Sequence, residues 1–159
     1  MLGGACDAGR VPSLEYLREL AGRDHGLAVV VTQRSDGSPQ TSIANAGVLA
    51  HPVNGDAVVG IVVQGGTRKH ENLRHRPRAT IVFRAGWEWV AVEGPVDLAG
   101  PDDALPEFDA GRVPQLLRDV FSAAGGSHDD WDQYDRVMAD EERLAVLVRP
   151  ERVYSNPGT

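Results

Sequence analysis

Leu27-Ala28-Val29-Val30-Val31, then Ser35-Asp36-Gly37-Ser38-Pro39, then the run from Gln40 to Ala50 decide how this chain folds. A β-branched apolar run, a turn built of Asp, Gly and Pro, and a second extended run form a hairpin pattern. The glycine supplies a positive φ and the proline a preset φ, which together reverse the chain. His51-Pro52-Val53-Asn54-Gly55-Asp56 repeats the turn chemistry and Val58 to Gln64 supplies a third strand, so Leu27 to Gln64 reads as an antiparallel meander.

Outward from the meander, the period changes. Gly65-Gly66 breaks the third strand, and Thr67 caps a short helix that Pro77 stops. Arg78 to Arg84 is extended again, Ala85-Gly86 is a turn, and Trp87 to Leu98 is a long strand with Trp87, Trp89, Ala91 and Glu93 on one face. Gly94-Pro95 is expected to bulge that strand, because proline cannot donate to a ladder. Val113, Leu116, Leu117, Val120 and Phe121 recur at helical spacing, as do Trp131, Tyr134 and Met138 after Gly125-Gly126, which predicts a helical hairpin. Leu144 to Arg149 gives a sixth strand and Val153-Tyr154 an extended tail. Upstream, Ser13 caps a helix carrying Leu14, Leu17 and Leu20 on one face. Short turns between strands predict a mainly β (α+β) protein, an antiparallel six-stranded barrel decorated by helices, rather than βαβ units. Residues 1–25 form an N-terminal segment and helix, and residues 26–159 form the barrel, within one domain overall.

Composition narrows the function. The chain has 159 residues, a formal net charge of −7 and 25% charged residues, an ordinary balance for a globular protein with a real core. The negative charge argues against a nucleic-acid or anionic-membrane partner. No apolar run spans a bilayer, and Met1 to Pro12 lacks the apolar stretch of a signal peptide. Cys6, the sole cysteine, excludes an intrachain disulfide; the expected location is cytoplasmic. His25, His51, His70, His75 and His128 show no metal-ligand spacing, and no Gly-x-Ser-x-Gly elbow or P-loop is present, so metal, hydrolase and P-loop readings find no support.

Charge is unevenly distributed. Arg68 to Arg78 holds five Lys/Arg against Glu71 alone, whereas Asp102 to Glu142 holds twelve acids against Arg112, Arg118 and Arg136. The acidic stretch reads as solvated helix faces. The basic stretch contains the only lysine, Lys69, beside a Gly-Gly-Thr turn at a helix N-terminus, where unpaired N–H groups and the helix dipole favour an anion. Thr67, Arg68, Lys69 and Asn72 add hydroxyl, cationic and amide donors, with Arg68 and Asn72 four apart on one side. Together they suit a cofactor phosphate.

Asp36-Gly37-Ser38-Pro39-Gln40, Thr67-Arg68-Lys69-His70-Glu71-Asn72-Leu73 and Gly86-Trp87-Glu88-Trp89-Val90-Ala91-Val92-Glu93-Gly94 resemble the pyridoxamine 5'-phosphate oxidase-like split-barrel superfamily. Asp129 to Tyr134 and Arg152-Val153-Tyr154 are most similar to its deazaflavin-dependent branch, the flavin/deazaflavin oxidoreductase B group. The resemblance implies a homodimer of six-stranded split barrels with the cofactor, coenzyme F420 or alternatively FMN, at the subunit interface. It assigns Lys69 and Asn72 to the cofactor's phosphate region, with Thr67 and Arg68 beside them. Gln40, Thr41 and Ser42 fall along the tricyclic ring, and Val62 and Gln64 on the neighbouring strand. Arg78 ends the basic patch that can receive an anionic cofactor tail. Ile43-Ala44-Asn45-Ala46-Gly47 departs from the pattern with smaller side chains, which implies a roomier pocket. The implied activity is hydride transfer to a small unsaturated substrate; the alternatives are an FMN oxidase or reductase and a non-catalytic cofactor-binding protein. No catalytic proton donor emerges from the sequence.

Overall fold

The computed structural model describes residues 12–156, so the readings of Cys6 and of the segment before Pro12 lie outside the described residues. Its elements are α1 (Leu14–Gly22), β1 (Leu27–Gln33), β2 (Pro39–Ala50), β3 (Ala57–Val63), α2 (Arg68–His75), β4 (Arg78–Ala85), β5 (Glu88–Ala99), α3 (Val113–Ala123), α4 (Trp131–Asp140), β6 (Leu144–Val148) and β7 (Arg152–Ser155). A single 3-10 turn, Ala110–Arg112, leads into α3.

The meander forms in the expected order, with β1 antiparallel to β2 and β2 to β3. Its register follows from alternation. Ala28, Val30 and Thr32 are buried, and their cross-strand partners Ala44, Ser42 and Gln40 share their face. β3 then pairs with β6, β6 with β5, β5 with β4 and β4 with β1, which closes six antiparallel strands into a barrel. Leu17 and Leu20 of α1, Leu73 of α2, and Ile61, Ile81 and Phe83 of the strands are fully buried in one cluster. Each such side chain contributes about 1.5–3 kcal/mol when removed from water.

Three details differ from the sequence reading. Val153-Tyr154 belongs to a seventh strand, because Val90 to Glu93 of β5 pairs with β7 along the edge that β6 does not reach. Trp87 sits in the β4–β5 turn and is 93% exposed, so the strand begins one residue later than expected, at Glu88, and the face expected to start at Trp87 starts at Trp89. Gly94-Pro95 is not a bulge in the ladder to β4, which runs unbroken through Arg78 and Pro95. It is the point where β5 passes from β7 to β6 on its other edge. A Cβ on Gly94 would lie 1.8 Å from the Arg149 carbonyl oxygen, so only glycine permits that crossing, and Pro95 accepts from the Arg149 N–H at 2.9 Å without needing to donate.

The helical hairpin is present. α3 lies across β2, β3 and β6, where Leu116, Leu117 and Val120 meet Val58, Ala145 and Leu147 in a second apolar cluster. α4 is tied on through Tyr134, whose hydroxyl donates to the Leu117 carbonyl at 3.2 Å and whose ring packs 5.0 Å from Phe121. The outward side chains of β1 and β2 are left open. Leu27, Val29 and Ile43 are exposed there, Ile43 to 63%. No helix among the described residues is long and apolar enough to cross a membrane.

Candidate functional site

β2 and β3 are paired from Ala50↔Ala57 to Ala46↔Ile61 and go no further as neighbours. Beyond that last pair, β2 continues along β1 while β3 runs into Gly65-Gly66 and α2. A cleft of ≈ 380 Å³ opens between them, with Gln40, Ala44 and Asn45 on one wall, Val62 and Gln64 on the other, and Thr67, Arg68 and Lys69 at its end.

The turn that delivers α2 to this cleft is fixed by local chemistry. Gly65 N–H donates to the Glu142 carbonyl at 3.1 Å, and a Cβ on Gly65 would lie 2.6 Å from that oxygen. The approach requires glycine. Thr67 is the N-cap: its hydroxyl accepts from the His70 N–H at 3.4 Å and donates to the Gln64 carbonyl at 2.9 Å. The Thr67 carbonyl takes the Glu71 N–H at 3.1 Å, which leaves the N–H groups of Arg68 and Lys69 as the uncapped donors at the start of α2.

α2 is then held on both flanks. On one, Asn72, 3% exposed, donates to the Thr32 hydroxyl at 3.1 Å, and that hydroxyl donates to Gln40 Oε1 at 3.1 Å. On the other, His70, 5% exposed, accepts the Gly66 N–H on Nδ1 at 3.1 Å. In the neutral ring the proton therefore sits on Nε2, which donates to Asp103 at 2.7 Å. Arg74 reaches the same carboxylate at 2.8 and 3.0 Å. Burial pushes the Asp103 carboxyl up, but the hydrogen bonds from Arg74 and His70 outweigh it and hold the group below the usual carboxylate range. Asp103 is thus an exception to the solvated reading of the acidic stretch.

Positive charge predominates in the cleft. Arg68, Lys69 and Arg143 line it, and among the described residues no Asp, Glu or His does. Arg143 is partly compensated by Glu141, which accepts from its Nε at 2.6 Å. Burial pushes the Lys69 ammonium below its ordinary range, and Arg143 nearby pushes it the same way. Arg143 was not foreseen from sequence. It follows Glu142, whose φ of 51° turns the chain sharply at the end of α4, beside Gly65. A non-glycine residue in that region is a local oddity, but only the folded chain shows that the turn aims at Lys69.

The sequence candidates therefore separate. Gln40, Val62, Gln64, Thr67, Arg68 and Lys69 come together in the cleft. Thr41 lies on the outward face of β2, and Ser42 points inward with a buried hydroxyl that has no hydrogen-bond partner among the described residues. Asn72 borders a second cleft of ≈ 270 Å³, with Arg34, Glu71, His75 and Arg76; Arg68 lines both. Arg78 is not brought to either cleft: its guanidinium forms a paired interaction at 3.0 and 3.2 Å with Glu151, the residue just before β7.

A closed antiparallel barrel with a cationic cleft where two strands part defines a split barrel. Residues 15–156 match the pyridoxamine 5'-phosphate oxidase family model, and the chain belongs to that family. Solved structures share its fold. A conserved hypothetical protein from Mycobacterium tuberculosis superposes with a TM-score of 0.67 at 18% identity, over 97% of this chain and 90% of that one. A pyridoxamine 5'-phosphate oxidase-related, FMN binding protein from Nostoc punctiforme gives 0.61 at 13% identity, over 92% and 85%. A protein described as an F420 reductase gives 0.54 at 15% identity, over 80% and 88%.

Proposed function

We propose that this protein is an oxidoreductase that holds coenzyme F420 in the cleft and directs hydride to a small unsaturated organic substrate. The observation that carries the reading is the convergence of Arg68, Lys69 and Arg143, without a lining carboxylate, on one partly buried cleft of an acidic protein. Such a donor set fits a phosphate or carboxylate better than any neutral ligand. The second cleft shares Arg68 and adds Arg34 and Arg76 together with Asp36 and Glu71. Those carboxylates offset much of its positive charge, and the choice of coenzyme F420 over FMN rests on the resemblance of Asp129 to Tyr134 and of Arg152-Val153-Tyr154 to the deazaflavin-dependent branch.

The bound cofactor supplies the hydride chemistry. The chain supplies position and charge. Lys69 and Arg68 hold the anionic group at the open end of α2, while Arg143 closes the opposite side. Val62 and Ala44 form apolar wall against a ring, and Gln40, fixed through Thr32, offers its amide at the edge.

Two copies of the chain complete the site. Ile43 and Asn45 line the cleft and belong to the outward face of β2, continuous with exposed Val29 and Leu27. A second copy seated on that apolar face covers it and closes the cleft against solvent.

The test is a side-by-side titration of purified protein with FMN and with coenzyme F420, read by fluorescence quenching. Tighter binding of the deazaflavin, followed by turnover of its reduced form with an electron-poor alkene, supports the proposal. Preference for FMN transfers the reading to a flavin oxidase or reductase; tight deazaflavin binding without turnover leaves a carrier; and no binding of either removes the assignment.

A further inference from the structure

In a chain with fifteen arginines, the single lysine stands in the cleft rather than on the surface. Arginine holds anions at least as well and stays charged throughout the accessible pH range, so charge alone does not call for lysine there. What only lysine offers is an amine that can lose its proton and form a bond.

The surroundings of Lys69 favour that state. Among the described residues no carboxylate lines its cleft, and the charged group felt by its ammonium is Arg143, another cation. Burial acts in the same direction and lowers the cost of the neutral amine. Arg68 and Arg143 line the same cleft and can bind an anion without reacting.

We propose that Lys69 is a covalent capture site for small anionic aldehydes, whose carboxylate or phosphate is held by Arg68 and Arg143 while the carbonyl carbon meets the Lys69 amine. The inference rests on the same cleft being an anion site but does not require a tricyclic cofactor. The amine nitrogen adds to the carbonyl carbon, a C=N bond replaces C=O, and the oxygen leaves as water with the two amine protons. No electrons are transferred, so no oxidant or reductant is needed. Because the adduct fills the anion site, it and a phosphate-bearing cofactor exclude one another, and loss of the aldehyde restores the cleft.

The test uses cofactor-free full-length protein, glyoxylate as the anionic probe, glycolaldehyde as its uncharged counterpart, and cyanoborohydride to fix the imine as a secondary amine. Peptide mass spectrometry locates the label, Nα-acetyl-lysine in the same tube sets the reference rate, and Lys69→Arg accounts for the chain's α-amino group. The expected result is labelling of Lys69 by glyoxylate at least about tenfold faster than the reference, the equivalent of about 1.4 kcal/mol of anion holding by the two arginines beside an amine whose neutral form burial favours. Glycolaldehyde, which the arginines do not hold, gains less over the reference, and the preference for the anion disappears in Arg68→Ala/Arg143→Ala. If the double variant fails to fold by circular dichroism, each single variant is used and halves the preference or more. Labelling at or below the reference rate overturns the proposal, as does an anion preference that survives loss of both arginines. The two readings fail separately: Lys69 labelling with neither FMN nor coenzyme F420 binding removes the cofactor assignment alone, and tight cofactor binding with an inert Lys69 removes the capture site alone.

Discussion

The Asn72 side chain donates to the Thr32 hydroxyl at 3.1 Å, and through that hydroxyl the helix carrying Lys69 is joined to Gln40 on the opposite wall of the cleft. Three elements distant in sequence share one buried polar chain. Asn72 and Thr32 are buried and have no water to fall back on, so removing one strands the other. Asn72→Ala should lower stability by about 1–3 kcal/mol, measured by urea denaturation. Pairing it with Thr32→Val should cost less than the sum of the single changes, because each already breaks the same link. Strict additivity would show that the two groups act independently.

Among the cationic residues, position in the cleft rather than charge decides the effect on ligand. Lys69→Ala and Arg143→Ala should each weaken cofactor binding at least tenfold, about 1.4 kcal/mol. Arg78→Ala should change it less than about twofold, since its guanidinium is engaged by Glu151 outside both clefts. Equal losses across all three in a fluorescence titration would mean that only net charge matters.

Lys69 also sets function against stability. A half-buried ammonium with no lining carboxylate is costly to keep without a ligand. Lys69→Met should therefore stabilise the cofactor-free protein by ~0.5–1 kcal/mol while abolishing the anion site. The lysine's folded-state pKa is depressed, so between that value and the unfolded value the unfolded chain binds more protons, and wild-type stability rises with pH. That alkaline rise should be absent in Lys69→Met when melting temperature is followed upward from neutral pH.

Asp103 governs the acid side. Its folded-state pKa lies below the unfolded value of about 3.9, held there by Arg74 and His70 against the opposing effect of burial. The resulting stabilisation is fully present above the unfolded pKa and is lost as pH falls through the folded one. Asp103→Asn should reduce stability at neutral pH and flatten the loss below about pH 4, read as melting temperature against pH. A variant with the same acid limb as wild type would place the titrating group elsewhere.

The uncovered face of β1 and β2 gives a test of assembly. Ile43→Glu places a carboxylate in the middle of the exposed apolar strip and beside the cleft. Sedimentation should show the variant as a monomer under conditions where wild type is a dimer, with cofactor affinity reduced at least tenfold, about 1.4 kcal/mol. An unchanged sedimentation coefficient with intact cofactor binding would set this face outside any subunit contact.

Local pattern determined a large part of the protein. Strand alternation, the Asp36-Gly37 and Asn54-Gly55 turns, the Ser13 and Thr67 caps and the Leu116-Leu117-Val120 stripe are all encoded within a few residues of where they act, and each element formed where its period placed it. The Lys69 turn was legible for the same reason, since glycines, cap and cation are contiguous. Contacts across the barrel were not. Whether Arg78 faced the cleft or Glu151, whether Arg143 reached Lys69, whether Asp103 was solvent-facing or clamped to His70, and whether Val153-Tyr154 paired with β5 all depended on which distant strands the closed barrel brought side by side. A side chain's period states which face it takes; only closure of the sheet sets what stands opposite that face.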